Sequence, residues 1–121
     1  MTTIKHFEEI EAWKTGRELT RYIYDLCKEG ALGRDFGLRD QLCRASVSIM
    51  SNIAEGFEDR RSESTFLSYL AIAKGSAGEV RSLLYVASDC GYINQEQFDK
   101  AFNLCVVCSK QIYKFIQYIK G

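Results

Sequence analysis

The sequence predicts an all-α fold, an antiparallel up-down-up-down four-helix bundle in which residues 1–121 form a single domain. Three observations support this prediction. The chain contains no proline, so long helices can run without interruption. Apolar residues recur at alternating steps of three and four over long stretches, which is typical of packed helices. No stretch alternates polar and apolar residues for long enough to indicate a β-sheet.

Glycines and polar residues divide the chain into four predicted helices, at about residues 7–29, 36–58, 63–90 and 95–120. Gly30 and Gly33 bracket a short turn, KEGALGRD, between the first two segments. Gly91 suits the position just after a helix, and Asn94 with Gln97 forms a capping-box start for the last helix. Because these links are short, consecutive helices are expected to be antiparallel neighbours.

Each segment contains a predicted core seam. The third segment has the seam Phe66, Leu70, Ala73, Ala77, Val80, Leu84 and Ala87. The fourth has Phe98, Ala101, Cys105, Cys108, Ile112, Phe115 and Ile119. The second has Leu38, Leu42, Ala45, Ile49 and Ile53, and the first has the less regular set Trp13, Gly16, Thr20, Ile23 and Cys27. Among the aromatic residues, we expect core or interface anchors at Trp13, Tyr24 and Phe66.

A polar row runs along the second segment beside its apolar seam. At 100° per residue, one helical stripe contains Arg44, Ser48, Ser51 and Glu55, flanked by Gln41 and Asn52. A face left in water would more commonly carry lysine and glutamate, so we expect a neighbouring helix or chain to cover this row. Arg44 is then expected to pair with Glu55 or, across helices, with Glu79, because buried charges need partners.

The third segment repeats this design with the row Tyr69, Ile72, Ser76, Glu79 and Leu83. Gly75 and Gly78 lie close to that row, and a glycine inside a helix costs about 1 kcal/mol relative to alanine. The close approach of another backbone would offset that cost. The two rows are compatible with a subunit interface, with tight packing of two helices inside one chain, or with an active site.

Two stretches carry a resemblance to a known family: QLCRASVSIMSNIAEG at residues 41–56 and AIAKGSAGE at residues 71–79. Together with the pattern from Phe7 to Tyr24 and with Gly91-Tyr92-Ile93, they resemble the four-helix-bundle proteins encoded in intervening sequences of bacterial 23S ribosomal RNA genes. The resemblance covers nearly the whole chain. Its signature positions, which are also the candidate interface residues, are Gln41, Arg44, Ser48, Asn52, Glu55, Gly56, Gly75, Ser76 and Glu79.

This resemblance implies a homo-oligomer, namely a barrel-like pentamer of four-helix protomers. It also implies kinship with the accessory variability determinant of diversity-generating retroelements, which works with a reverse transcriptase and contacts nucleic acid. That relative is strongly basic, whereas this chain has 16 basic and 16 acidic residues. The family has no established catalytic residues, so the resemblance implies a protein without enzymatic activity.

Basic residues nevertheless cluster locally, and they form the candidate nucleic-acid patch Arg34, Arg39, Arg60, Arg61, Lys110 and Lys114. Tyr113 and Tyr118 lie among the lysines. A cyclic assembly would repeat each cluster and increase its avidity. An ordinary solvated face is the alternative interpretation. Two functions remain open: an adaptor for RNA, DNA or a nucleic-acid enzyme, and a purely protein-binding structural oligomer.

Motifs for metal, cofactor or nucleophilic chemistry are weak. Cys105-x-x-Cys108 is a single pair on the core seam, and His6, the only histidine, is distant in sequence. We therefore expect core cysteines, no metal and no cofactor. Ser48 and Ser76 have no histidine nearby to act as a general base. The chain has five cysteines, no signal peptide and no apolar run long enough for a membrane span, so a cytoplasmic location with free thiols is expected.

Overall fold

The computed structural model describes residues 3–121, which form helices and no strand. A 3-10 turn at Phe7–Glu9 precedes the α-helices α1 (Glu11–Leu26), α2 (Gly30–Arg34), α3 (Phe36–Glu58), α4 (Glu63–Asp89) and α5 (Gln95–Lys120). The four long helices pack antiparallel around one core, with α1 and α4 each contacting both α3 and α5. The predicted all-α antiparallel four-helix bundle is confirmed.

The first predicted helix is the one whose boundaries differ most. It begins at Glu11 instead of residue 7, because Ile10 has an extended backbone, with φ −75° and ψ 121°. It ends at Leu26, three residues before the predicted end. The stretch predicted to be a simple turn contains α2, whose one helical turn brings Leu32 into the core at 2% exposure. The gain from burying this leucine explains why the connection is helical.

The start of α5 is capped as the sequence predicts. Asn94 Oδ1 accepts a hydrogen bond from the backbone N–H of Gln97 at 2.8 Å, and Gln97 Oε1 accepts one from the N–H of Asn94 at 2.9 Å. Gly91 after α4 has φ +72°, a conformation that glycine adopts readily. The N–H of Tyr92 donates to the carbonyl of Ala87 at 2.9 Å, which closes the end of α4 in a Schellman motif.

The predicted seams of α3 and α4 are buried at every position, and that of α5 at all positions except the half-buried Phe98 and Phe115. The predicted core seam of α1 is displaced by one residue at two positions. Its buried residues are Ala12, Gly16, Leu19 and Ile23, whereas Trp13 and Thr20 are half-buried. Of the three expected anchors, Phe66 lies in the core and Tyr24 is 45% exposed.

Cys105 and Cys108 lie in the core, as expected. Both side chains are fully buried, and the thiol of Cys108 donates to the backbone carbonyl of Ala12 at 3.4 Å. Burial raises the pKa of each thiol to about 12, so both stay protonated at neutral pH. Among the helices of residues 3–121, none has the length and apolar character needed to cross a bilayer.

Candidate functional site on helices α3 and α4

Hydrogen-bonded polar side chains join α3 to α4 near the middle of both helices. Ser48 Oγ and Ser76 Oγ are 2.8 Å apart. The amide of Asn52 donates to the backbone carbonyl of Ser48 at 2.8 Å and to its Oγ at 3.0 Å. Ser76 is buried, and Ser48 and Asn52 are half-buried. The expectation that a neighbouring helix covers the polar row is therefore correct for these residues.

The outer edge of the same row is exposed. Gln41, Arg44 and Glu55 lie at the surface of the chain. None of the ion pairs found within residues 3–121 includes Arg44, Glu55 or Glu79, so the predicted pairing of Arg44 is wrong. Arg44 and Glu55 are eleven residues apart on one helix, which separates them by roughly 16 Å along its axis. Glu55 is exposed and is therefore not the buried hydrogen-bonding partner that the sequence suggested.

Arg44 and Glu79 approach each other without forming an ion pair. They line opposite sides of a shallow hollow of about 390 Å³ between α3 and α4, together with Gln41, Ala45 and Ser48. Both charged side chains are exposed, so water solvates them at little cost. The hollow therefore presents one cation and one anion to any molecule that contacts it.

The predicted close approach at Gly75 and Gly78 does not occur in the part of the chain that the structure describes. A Cβ built on either glycine would meet no atom within 4 Å apart from its chain neighbours and the backbone of its own helix. The close approach lies at Gly56, where a Cβ would come within 2.6 Å of Tyr69 Cβ and 3.2 Å of Phe66 Cδ1. Gly56 thus lets α3 and α4 pack tightly. The sequence placed Gly56 in a family signature but gave no sign of this packing role.

Exposed apolar surface lies next to the two unpacked glycines. Ile72, one turn before Gly75, is 53% exposed. We call the surface formed by these residues and the neighbouring charged side chains the open face, defined by Gln41, Arg44 and Glu55 on α3 and by Ile72, Gly75, Gly78 and Glu79 on α4. Its exposed isoleucine, accessible helix backbone and opposite charges are features that can contact a second protein chain.

The hydrogen bonds of Ser48 join it to no carboxylate and no histidine among residues 3–121. The nearest partners of the Ser48 hydroxyl are another hydroxyl and an amide, neither of which is a general base. The Ser48–Ser76 hydrogen bond helps to fix how α3 and α4 pack, since the two hydroxyls must meet across the helix contact, and Asn52 holds Ser48 in place from the same helix.

The six basic residues of the candidate nucleic-acid patch lie in separate places. Arg39 donates to the carbonyl of Gly33 at 3.2 Å and pairs with Asp40 at 3.0 Å. At the other end of α3, Arg60 donates to the carbonyl of Phe57, and Arg61 pairs with Asp59 at 2.9 Å. Arg34 is exposed near the first of these ends. The arginines therefore form two locally engaged clusters, not one continuous patch.

The two lysines of the candidate patch lie beside Lys74, a residue that the sequence did not single out. Lys110 and Lys114 on α5 line a groove with Lys74 on α4, together with Ser109 and Tyr113. Lys74 is more than thirty residues away in sequence, and only the antiparallel packing of α4 and α5 brings it here. In the sequence, the one sign that Lys74 is exposed is that it lies outside the predicted core seam of its helix.

The fold and the open face together define the class of protein: a small four-helix bundle with an exposed face that contains small residues. Residues 8–114 match the model of a family described as 23S rRNA-intervening sequence protein. The chain belongs to this family, which confirms the family resemblance seen in the sequence.

A solved structure agrees with the fold. The chain is similar to the crystal structure of a protein with unknown function from the S23 ribosomal protein family of Bacteroides thetaiotaomicron VPI-5482. The two share 24% sequence identity with a TM-score of 0.78, and the match covers 87% of this chain and 97% of the other. No curated protein matches the chain.

Proposed function

We propose that the protein is a non-enzymatic helical-bundle module that assembles with copies of itself, as a homopentamer, and serves as an adaptor for nucleic acid or for an enzyme that acts on nucleic acid, such as a reverse transcriptase. The observation that carries this proposal is the open face. It combines exposed Ile72 with two helix glycines on which no other described part of the chain packs closely.

The free-energy cost of the two helix glycines and of the exposed isoleucine favours the binding of a partner chain on the open face. Gly75 and Gly78 each cost about 1 kcal/mol relative to alanine in a helix interior, and no close packing by the described residues 3–121 offsets that cost. A neighbouring protomer could approach the α4 backbone closely at these positions. Burying Ile72 would contribute about 1–2 kcal/mol more, because roughly half of its side chain is still exposed.

The charges on the open face favour a specific protein contact over non-specific association. Arg44 and Glu79 have opposite charges, and no ion pair among residues 3–121 includes either of them. Each can therefore pair with the opposite charge on a neighbouring protomer. Such pairs contribute more to orientation and partner choice than to affinity. A cyclic assembly would use the same two residues at every interface.

The adaptor role depends on assembly, because the whole chain carries no net charge. A monomer of this composition is a poor general ligand for polyanions, since affinity for phosphates grows with the number of cations presented. A ring repeats each local basic cluster around its axis and adds their contributions by avidity.

A second candidate function is a structural oligomer that binds only protein. It is favoured by the local use of Arg39, Arg60 and Arg61, whose guanidinium groups already contact neighbouring carbonyl or carboxylate oxygens. Pull-down of tagged protein, with and without nuclease treatment, separates the two functions. Partners lost after nuclease treatment indicate an adaptor for nucleic acid, and partners retained indicate the protein-binding oligomer.

Sedimentation velocity at micromolar concentration tests the assembly. We expect a single species of about five protomers for the natural sequence. Ile72→Gln should shift it toward monomer, whereas Val107→Gln should not, because Val107 is similarly exposed, at 46%, but lies on α5 away from the open face. A natural sequence that sediments as a monomer, or equal behaviour of the two variants, would contradict the proposed interface.

A further inference from the structure

We infer that the groove between α4 and α5 binds single-stranded nucleic acid, with its lysines on the phosphates and an exposed tyrosine against a base. We call it the lysine groove, a recess of about 310 Å³ lined by Lys74, Ser109, Lys110, Tyr113 and Lys114. The inference rests on the proposed adaptor function and names the ligand and the surface that binds it.

Charge is distributed unevenly around the lysine groove. Residues 100–121 include four lysines and no aspartate or glutamate, and residues 64–78 include Lys74 and no acidic residue. The antiparallel packing of α4 and α5 places these two acid-free stretches side by side, as the 5.7 Å contact between the rings of Phe66 and Phe115 shows. The groove itself is therefore lined by three cations and no anion, and it suits a polyanion, although Lys114 also borders a second recess that contains Glu9 and Glu11.

The lysines are also available for binding. Lys74, Lys110 and Lys114 are exposed, and none of the ion pairs within the described residues 3–121 includes them. Their neighbours three and four positions away on the same helices are all uncharged or basic. A phosphate that enters the groove therefore replaces only water, and no internal salt bridge has to break.

The aromatic side chain determines which form of nucleic acid fits. Tyr113 is 54% exposed among the lysines, so about half of its surface is accessible to a ligand in the groove. Stacking on such a ring requires an unpaired base, which a duplex does not offer. A lysine groove without an aromatic ring would bind any polyanion, and the tyrosine therefore favours a single strand.

The same side of the bundle continues with matching chemistry. Arg81 and Tyr85 follow Lys74 on α4 at intervals of seven and four residues, which keeps all three on one stripe. The Arg81 guanidinium lies 5.6 Å from the ring of Phe102, and Tyr85 packs on that ring at 5.8 Å. A strand that leaves the lysine groove toward the start of α5 thus meets another cation and another exposed ring.

Fluorescence anisotropy with a labelled 20-nucleotide oligo-U or oligo-dT tests the inference on the full chain. The triple variant Lys74→Gln, Lys110→Gln, Lys114→Gln should bind much more weakly than the natural sequence. The plot of log affinity against log salt concentration should become shallower by about 2 per protomer, from roughly 0.7 for each of three lost phosphate contacts.

The matched control removes three lysines elsewhere, through Lys5→Gln, Lys14→Gln and Lys28→Gln. It changes the net charge equally, and Lys14 and Lys28 only form exposed ion pairs with Glu11 and Asp25. This control should retain most of the affinity and the salt slope. Equal losses in the two triple variants would mean that general charge alone attracts the oligonucleotide, and would overturn the inference.

Tyr113 provides a test that does not change the charge. Tyr113→Ala should weaken binding on the order of tenfold through loss of stacking, whereas Tyr113→Phe should bind within about twofold of the natural sequence. Equal binding of duplex and single strand, or displacement of the oligonucleotide by poly-glutamate at a similar charge concentration, would also overturn the inference. The latter result would assign the groove to acidic polypeptides.

Sedimentation of the same samples separates this inference from the assembly proposal. A natural sequence that assembles but does not bind the oligonucleotide would refute the lysine groove and leave the assembly intact. A monomer that binds through the three lysines would refute the assembly and leave the groove intact.

Discussion

Gly56→Ala is the substitution for which the structure gives the clearest expected magnitude. The added Cβ would lie 2.6 Å from Tyr69 Cβ and 3.2 Å from Phe66 Cδ1. Carbon atoms in contact prefer about 3.5–4.0 Å, so the overlap with Tyr69 is roughly 1 Å. A Cβ is fixed to its backbone, and the clash therefore cannot be relieved by rotating a side chain. Helices α3 and α4 would have to move apart.

Two opposing contributions to the free energy of unfolding determine the net effect of Gly56→Ala. Forcing extra atoms into a packed contact costs about 1–3 kcal/mol, and the value should lie at the upper end because the clashing atom is rigidly placed. Replacing a helix glycine with alanine returns about 1 kcal/mol of helix propensity. We therefore expect Gly56→Ala to lower the free energy of unfolding by about 1–2 kcal/mol.

Urea unfolding followed by far-UV circular dichroism measures this change, at one fixed protomer concentration because assembly adds to apparent stability. Gly37→Ala is the matched control on the same helix, since the nearest atom to its added Cβ is Asp35 Oδ1 at 3.9 Å. It should leave stability unchanged or raise it by up to about 1 kcal/mol. If Gly56→Ala were as stable as Gly37→Ala, the tight packing of α3 on α4 at this glycine would be refuted.

Two further predictions concern exposure. Glu55→Ala should change the unfolding free energy of the monomeric protein by less than about 0.5 kcal/mol, because Glu55 is exposed and no ion pair among residues 3–121 includes it. Urea unfolding at a concentration where the protein is monomeric measures this change, and a loss above about 1 kcal/mol there would contradict the placement of Glu55. In the native protein at pH 8, Ellman's reagent should modify exposed Cys90 first, whereas Cys105 and Cys108 should react only on unfolding. With a pKa of about 12, only about one in 10⁴ of the buried thiols is ionised at that pH; rapid native labelling of either would refute their burial.

The predictions that rested on local signals agree best with the structure. The second predicted helix coincides with α3, Phe36–Glu58, and the capping pair Asn94 and Gln97 begins α5 as expected. Such features depend on residues three or four positions apart, which the sequence displays directly. The apolar seams follow for the same reason, because helical periodicity decides which side chains can face a core.

The sequence by itself therefore determined the four long helices, the buried stripes of α3, α4 and most of α5, and the family; it missed α2 and part of the buried stripe of α1. Only the tertiary structure decided which residues meet across helices: Ser48 meets Ser76, Gly56 provides the close approach that Gly75 and Gly78 do not, and Lys74 joins Lys110. These pairings depend on the rotation and axial shift of one helix against another. Those two quantities arise from the packing of all the core side chains together, so no local stretch of sequence encodes them.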